Sequence, residues 1–186
     1  MFFAIELDDG ARQAAADLAR RLAGARGGDG VRWVRPEALH VTLRFLGEID
    51  AARAAPLARR ASEELAALRP FALRLGPAEL FPSPRRPRVV ALGLAPAAPL
   101  AELAAAVGRA CVAEGFPREE RPFRAHLTLG RIRGASFPAV AALAAPAAEL
   151  AVDEVVLFRS ELSPAGSRYT PLGRARLGAA QGHHPS

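Results

Sequence analysis

The sequence predicts an α+β protein of two lobes, in which two pseudo-symmetric antiparallel sheets with flanking helices form a central cleft. Segments with the apolar spacing of helices alternate with short strand-like segments, in the order strand, helix, strand, strand, helix and strands, followed by a further helix and strands. The pattern His-x-Thr-Leu occurs twice, at residues 40–43 and 126–129, each time on a strand-like segment. We therefore expect each lobe to contribute one of these strands to the cleft.

Length and composition favour one domain rather than two. The chain has 186 residues, of which 51% are hydrophobic, and this is enough for one sizeable core. We expect a single bilobal domain over residues 1–178. The polar segment of residues 179–186, which contains His183 and His184, is expected to be a disordered tail.

The first elements follow from apolar spacing and from capping residues. Residues 2–7 are predicted to form a buried strand, and Asp9 is predicted to cap a helix that ends at the glycine-rich turn of residues 24–30. A short strand over residues 31–34 precedes Pro36, which cannot continue it. These elements lead into the first strand with the His-x-Thr pattern.

That strand, predicted over residues 39–46, has one apolar and one polar face. Its residues alternate, with Val41, Leu43 and Phe45 on one side and His40, Thr42 and Arg44 on the other. We expect the apolar face, Phe45 included, to pack on the core, although an exposed aromatic near the cleft would be able to stack on a base. The polar face presents an imidazole beside a hydroxyl.

The remaining elements continue in the same order. Asp50 is predicted to open a second helix, and a third helix is expected over residues 99–114. Strands are predicted over residues 71–75, 88–94, 150–159 and 168–177, and the second patterned strand over residues 126–132.

Charge and cysteine content narrow the class of protein only slightly. The net charge is +6 and all 25 basic residues are arginines, which indicates a coding bias and supports a polyanionic partner only weakly. A single cysteine forms no intramolecular disulfide and fits a reducing cytoplasm. No apolar run approaches the ~20 residues of a membrane span. We expect a cytoplasmic monomer without membrane contact.

Two histidine–threonine pairs provide what in-line displacement at phosphorus requires. Both histidines outside the tail are followed two residues later by a threonine, although the chain has only three threonines. When water attacks a cyclic phosphodiester, one group accepts a proton from the water, and another donates a proton to the departing oxygen on the opposite side. Histidine serves both purposes near neutral pH. The sequence thus predicts His40 and His126 as catalytic residues, with Thr42 and Thr128 as donors to the phosphate oxygens.

Other catalytic arrangements lack their residues in this sequence. Two interior histidines without an Asp or Glu cluster at ligand spacing make a poor metal site, so we expect no metal ion and no other cofactor. A serine-hydrolase elbow and a lysine-containing phosphate loop are also missing. A single strand histidine is more often structural, but two structural histidines have no reason to share a threonine at the same offset.

Two arginines near the patterns are candidates for further phosphate contacts. Arg44 is predicted to share the polar face with His40, where a solvated surface role is an equal alternative. Under strict alternation Arg131 lies on the face opposite to His126. It reaches the cleft only if a bulge or strand end, for example at Gly130, turns it.

The chain resembles the 2H phosphoesterases, and among them the bacterial and archaeal RNA 2′,3′-cyclic phosphodiesterases, which are also called 2′-5′ RNA ligases. The resemblance covers nearly the whole chain and includes the phrases around both patterns. They are FFAIEL at residues 2–7, WVRPE at 33–37, HVTLRFLGE at 40–48, FPSP at 81–84, HLTLGR at 126–131 and GSRYT at 166–170. Ala125 departs from the family, whose members commonly have proline before the second histidine.

The resemblance implies that the substrates are RNA or nucleotides with 2′,3′-cyclic phosphate ends and that the product is a 2′-phosphate. His40 would then donate a proton to the departing 3′-oxygen, and His126 would accept a proton from the water. Arg131 aligns with an arginine that usually follows the second pattern, which makes it a candidate phosphate ligand. An RNA 5′-hydroxyl in place of water would give reversible 2′-5′ ligation.

Two alternatives stay open at this point. One is a different 2H substrate, such as a 2′-5′ oligonucleotide or an ADP-ribose-type cyclic phosphate. The other is a module that binds RNA ends without turnover, which would show salt-dependent binding and no hydrolysis.

Overall fold

The computed structural model describes residues 1–134, 136–140, 143–163 and 166–178. These residues contain three α-helices and nine strands. The helices are α1 (Asp9–Ala23), α2 (Ala54–Leu65) and α3 (Ala97–Ala113). The strands are β1 (Phe2–Glu6), β2 (Val31–Trp33), β3 (His40–Phe45), β4 (Phe71–Phe81), β5 (Val89–Ala95), β6 (His126–Ile132), β7 (Glu149–Val152), β8 (Glu154–Ser163) and β9 (Gly166–Arg176). The predicted tail, residues 179–186, lies outside the described residues.

The strands form two antiparallel sheets, which confirms the predicted fold class. The first sheet has the order β3-β1-β8-β9, and the second has the order β2-β6-β5-β4-β7. The two strands with the His-x-Thr pattern, β3 and β6, belong to different sheets and contact each other. The sheets therefore meet where the two patterns lie.

The helices cover the sides of the sheets that face the main core. Helix α2 packs against α3 and β9, α3 also contacts β3, and α1 contacts β2, β6 and β7. Apolar residues from both sheets and all three helices form one continuous core. None of the helices in the described part of the chain is long and apolar enough to cross a membrane.

Side-chain caps begin the first two helical segments. Asp8, rather than the predicted Asp9, caps α1, because its Oδ1 accepts a hydrogen bond from the backbone N–H of Ala11 at 2.8 Å. Asp50 accepts from the N–H of Ala52 and begins a 3₁₀ turn that continues directly into α2. The predicted helix starts are thus correct to within a few residues.

One predicted strand is wrong, since residues 150–159 form parts of two strands in different sheets. β7 pairs with β4 in the second sheet, and β8 pairs with β1 and β9 in the first, so that the chain crosses between the sheets at Asp153. Both halves are apolar, and their spacing alone does not reveal the crossing. β4 is also longer than predicted, because a shift of register between Leu75 and Ala78 accommodates Pro77 within it.

A β-bulge interrupts both patterned strands at the same position. The register of β3 with β1 shifts at Leu43, and the register of β6 with β5 shifts at Leu129, so each leucine is an extra residue without a partner. Both leucines occupy the last position of a His-x-Thr-Leu pattern. The two halves of the chain therefore share this irregularity as well as the pattern.

The bulges reverse the faces of the residues that follow them. Arg44 and Gly130 are buried, whereas Phe45 and Arg131 are exposed. Strict alternation was therefore the wrong prediction for β3: Arg44 leaves the histidine face, and Phe45, with 63% of its surface exposed, joins it. A single extra residue is enough to exchange these two positions.

Candidate active site

His40 and His126 lie close enough for their charges to interact. Both His126 and Arg131 lower the pKa of His40 electrostatically, so the structure brings these three predicted residues together. Thr42 and Thr128 follow the histidines on the same faces, and both are partly exposed. The two imidazoles and the two hydroxyls thus line one region between the sheets.

The residues directly across from the threonines are small. Ala4 of β1 pairs with Thr42, and Ala91 of β5 pairs with Thr128. Opposed residues of an antiparallel pair share a face, so the cross-strand neighbour of each threonine carries only a methyl group. Neither neighbour therefore has a polar or bulky group that would compete for the threonine hydroxyl.

A backbone carbonyl holds each imidazole through Nδ1. The Nδ1 atom of His40 lies 2.9 Å from the carbonyl oxygen of Ala38, and that of His126 lies 2.8 Å from the carbonyl oxygen of Arg124. Because a carbonyl only accepts hydrogen bonds, Nδ1 is the donor in both rings. Nε2 is therefore the nitrogen left for proton transfer: it can accept a proton when the ring is neutral and donate one when the ring is charged.

Aromatic rings surround His40. The ring of Phe2 lies 4.9 Å from its imidazole, and Tyr169 approaches edge-on at 5.1 Å. Both belong to a small second apolar cluster on the histidine face of the first sheet, which also includes Ala4, Val156 and Phe158. A pocket beside His40 is lined by Tyr169 and by the carboxylate-bearing Glu6 and Glu37.

This environment lowers the pKa of His40 below the usual 6.5. Burial is the largest cause, since it disfavours the charged ring, and the charges of Arg131 and His126 act in the same direction. The hydrogen bond to Ala38 opposes them. At neutral pH His40 is therefore mostly neutral when no anion is bound.

His126 is held differently, between the backbone carbonyl of Arg124 and the phenyl ring of Phe81. Its imidazole stacks on Phe81 at 4.1 Å with an interplanar angle of 18°. The guanidinium of Arg124 lies 4.3 Å from the centre of the same phenyl ring, and Arg124 also donates a hydrogen bond to the carbonyl of Pro82 at 2.9 Å. The orientation of His126 thus depends on a segment far away in the sequence.

Arg131 reaches the histidines because of the bulge in β6. The sequence required a bulge near Gly130, and the structure has it one residue earlier, at Leu129. Gly130 packs so closely against β2 that a Cβ atom there would lie 2.5 Å from a methyl carbon of Val31. Arg32 pairs directly with Arg131 across β2 and β6, which places a second cation beside the first.

The structure does not bring Arg44 to the histidines. The residue is only 8% exposed, and its Nη1 atom donates to the carboxylate of Glu119 at 3.1 Å. A second guanidinium nitrogen donates to the carbonyl of Pro117. The side chain lies on the side of β3 that faces α3, where its charge acts on the buried thiol of Cys111. Arg44 therefore joins β3 to the segment that precedes β6 and does not face the cleft.

Sequence reasoning did not identify two aromatic residues of this site. Phe81 belongs to the FPSP phrase, but nothing in the phrase indicates that the ring stacks on His126. Tyr169 belongs to the GSRYT phrase, and its contact with His40 requires the pairing of distant strands. Among the described residues, no group of three or more His, Cys, Asp or Glu side chains is arranged to hold a metal ion.

Known proteins match this chain over most of its length. A family model described as LigT like Phosphoesterase matches residues 5–91 and 92–169, and each segment contains one His-x-Thr pattern. An RNA 2′,3′-cyclic phosphodiesterase of Archaeoglobus fulgidus is 34% identical over 177 residues, which are 92% of this chain and 97% of the relative.

Solved structures show the same fold. A crystal structure of a protein from Thermus thermophilus superposes with a TM-score of 0.80 and 28% identity, covering 98% of each chain. The crystal structure of E. coli LigT complexed with 3′-AMP gives a TM-score of 0.75 and 30% identity, covering 95% of this chain and 96% of LigT.

Proposed function

Because the chain belongs to the LigT-like family of 2H phosphoesterases, we propose that it hydrolyses RNA 2′,3′-cyclic phosphate ends to 2′-phosphates. The name of the Archaeoglobus fulgidus relative states this activity class for that protein. The observation that carries the proposal is the matched pair of imidazoles. Each has Nδ1 bound to a carbonyl and Nε2 left for proton transfer, and the charge of one acts on the other.

The proposed reaction uses the histidines on opposite sides of phosphorus. Water attacks phosphorus while Nε2 of His126 takes one of its protons, and the bond to the 3′-oxygen breaks as Nε2 of His40 donates a proton to that oxygen. His40 ends neutral and His126 ends charged, and exchange with solvent restores both. Each proton transfer typically contributes about 10²–10⁴-fold in rate.

The phosphate supplies the charge that His40 needs. Without an anion, burial and the cations nearby keep the pKa of His40 low, so the imidazole that should donate the proton is mostly unprotonated. A bound phosphodiester is an anion that pairs with Arg131 and with the protonated imidazole, which favours the charged form of His40. Substrate binding and protonation of His40 are therefore coupled in this proposal.

Thr42, Thr128 and Arg131 are the proposed phosphate ligands. The two hydroxyls lie beside the imidazoles on strands that contact each other, and Arg131 follows on the same face after its bulge. Such donors stabilise the charge that grows on the non-bridging oxygens in the transition state. Arg44 is left out, because its guanidinium is bound to Glu119 and Pro117.

Phe45 is the proposed platform for a base. Its ring lies on the histidine face 5.7 Å from Phe2, and it is one of the most exposed large apolar side chains among the described residues. Stacking of a base on an aromatic ring contributes about 1–3 kcal/mol.

The proposed chemistry needs no metal ion, no other cofactor and no second copy of the chain, since both histidines come from one polypeptide. With an RNA 5′-hydroxyl as the nucleophile, the same proton transfers would form a 2′-5′ linkage.

The test is incubation with a 2′,3′-cyclic mononucleotide and with a short RNA that ends in a cyclic phosphate. We expect a 2′-phosphate from both substrates, and turnover that persists in a chelator. Turnover that is lost in EDTA and restored by a divalent ion would contradict the metal-free mechanism. Turnover of only a 2′-5′ oligonucleotide or an ADP-ribose-type cyclic phosphate would assign another substrate. Salt-dependent binding without single-turnover hydrolysis would indicate a binding module.

A further inference from the structure

Glu79 of β4 lies on the histidine face of the second sheet. It pairs with Ala91 of β5, which in turn pairs with Thr128 of β6. Because directly opposed residues of antiparallel strands share a face, Glu79 and Thr128 project toward the same side. Phe81 follows two positions later on the same face and touches His126, which gives the same orientation independently.

The carboxylate of Glu79 reaches across β5 to the position of Gly93. Its Oε1 atom lies 3.6 Å from the position that a Cβ atom on Gly93 would occupy, and Gly93 is the residue directly across from His126. Phe81 leans in the same direction, far enough to stack on the imidazole. The absence of a side chain at Gly93 thus leaves open the space between Glu79 and His126.

Glu79 is exposed and forms no salt bridge with any residue in the described ranges. On the histidine face of the first sheet, by contrast, a glutamate does have a cationic partner. The residue across from His40 is Glu6, and an arginine, Arg174, binds its carboxylate at 2.7 Å. A carboxylate without such a partner repels a phosphate bound on the same face. It can, however, accept a hydrogen bond from a neutral donor there.

We propose that Glu79 accepts a hydrogen bond from the attacking water and thereby orients it for His126. This rests on the proposed function. The water has two protons: one passes to Nε2 of His126 as the bond from oxygen to phosphorus forms, and the other is held by Glu79. The second proton stays on the new phosphate oxygen, while the departing 3′-oxygen takes its proton from His40.

An alcohol nucleophile separates this role from a role in folding or in binding the base. Methanol has one hydroxyl proton, which His126 takes, so methanol has none for Glu79. The test therefore uses a 2′,3′-cyclic mononucleotide in a mixture of water and methanol, and it measures the ratio of the 2′-phosphate to its methyl ester. This ratio is determined within one reaction mixture and does not depend on the amount of active protein.

We expect Glu79→Ala to reduce hydrolysis about tenfold or more while methanolysis changes far less, so that the product ratio shifts toward the methyl ester. Glu79→Gln retains a weaker acceptor and should give an intermediate shift. Glu102→Ala, an exposed glutamate of α3, is the control and should leave the ratio unchanged.

An unchanged product ratio in Glu79→Ala would overturn the inference, whether or not the total rate falls. So would a change confined to the KM values of purine and pyrimidine substrates, because Glu79 would then contact the base. Wild-type protein that opens no cyclic phosphate would instead contradict the proposed function itself, and the two failures are therefore distinguishable.

Discussion

Arg131 occupies in β6 the position that Phe45 occupies in β3. Each lies two residues after a bulged leucine. The same shift of register occurs in both strands and places each side chain on the histidine face. One half of the chain thus places an aromatic ring on the histidine face, beside the proposed phosphate site, and the other half places a cation there. The same backbone irregularity positions two side chains of different chemistry.

Replacement of Arg131 should move the pH dependence of the reaction as well as slow it. The rate falls as pH rises through the pKa of the proton donor, and the pKa of His40 is lowered by burial and by Arg131, so the basic limb of kcat/KM lies below pH 6.5. Arg131→Ala removes a cation, raises the pKa of His40 and should shift this limb to higher pH. Arg131→Lys keeps the charge and serves as the control. A basic limb that stays in place in Arg131→Ala would show that His40 is not the donor.

Arg44 should affect stability more than chemistry. Arg44→Met leaves Glu119 and the carbonyl of Pro117 without their donor, and it should reduce the free energy of unfolding by about 1–2 kcal/mol. Glu119→Gln should have a smaller effect, because its side chain is more than half exposed. Urea denaturation measures both changes. A stable Arg44→Met protein with a raised KM would instead place Arg44 at the substrate.

Phe81 should position His126 without contacting the phosphate. Phe81→Leu removes the stacked ring, so the imidazole samples more orientations, and kcat should fall about tenfold with little change in KM. Phe81→Tyr keeps the ring and should retain most of the activity. Steady-state kinetics on a cyclic mononucleotide distinguishes the two variants. Equal losses in both would exclude stacking as the cause.

Phe45 should affect binding rather than turnover. Phe45→Ala removes the proposed base platform, and KM should rise about tenfold or more with kcat nearly unchanged. Exposed Val112 of α3 provides the control, since Val112→Ala shortens another surface apolar residue away from the histidines. An unchanged KM in Phe45→Ala would remove Phe45 from the binding site.

Strict alternation of side chains along the strands predicted the faces of the site residues correctly before the bulges, but not after them. His40 and Thr42 share a face because alternation holds over the first residues of β3, and His126 and Thr128 behave in the same way. The extra residue at Leu43 is a property of the pairing with β1, and no feature of the leucine itself signals it. Arg44 was therefore assigned to the wrong face.

Contacts between strands that are distant in the chain could not be predicted from the sequence for a similar reason. The stacking of Phe81 on His126 depends on the curvature and register of β4, β5 and β6 together. The crossing at Asp153 separates two apolar segments whose composition is alike. Pairing partners, rather than propensities, decide both features.

The most direct test of the two-histidine account is a change of leaving group. In a cyclic phosphate whose bridging 3′-oxygen is replaced by sulfur, the departing thiolate needs no proton donor. On the normal substrate, His40→Ala and His126→Ala should each be slower by about 10²–10⁴-fold. We expect the sulfur substrate to restore His40→Ala to near the wild-type rate and to leave His126→Ala slow. Recovery of His126→Ala instead, or more than a tenth of the wild-type rate in either variant on the normal substrate, would contradict it.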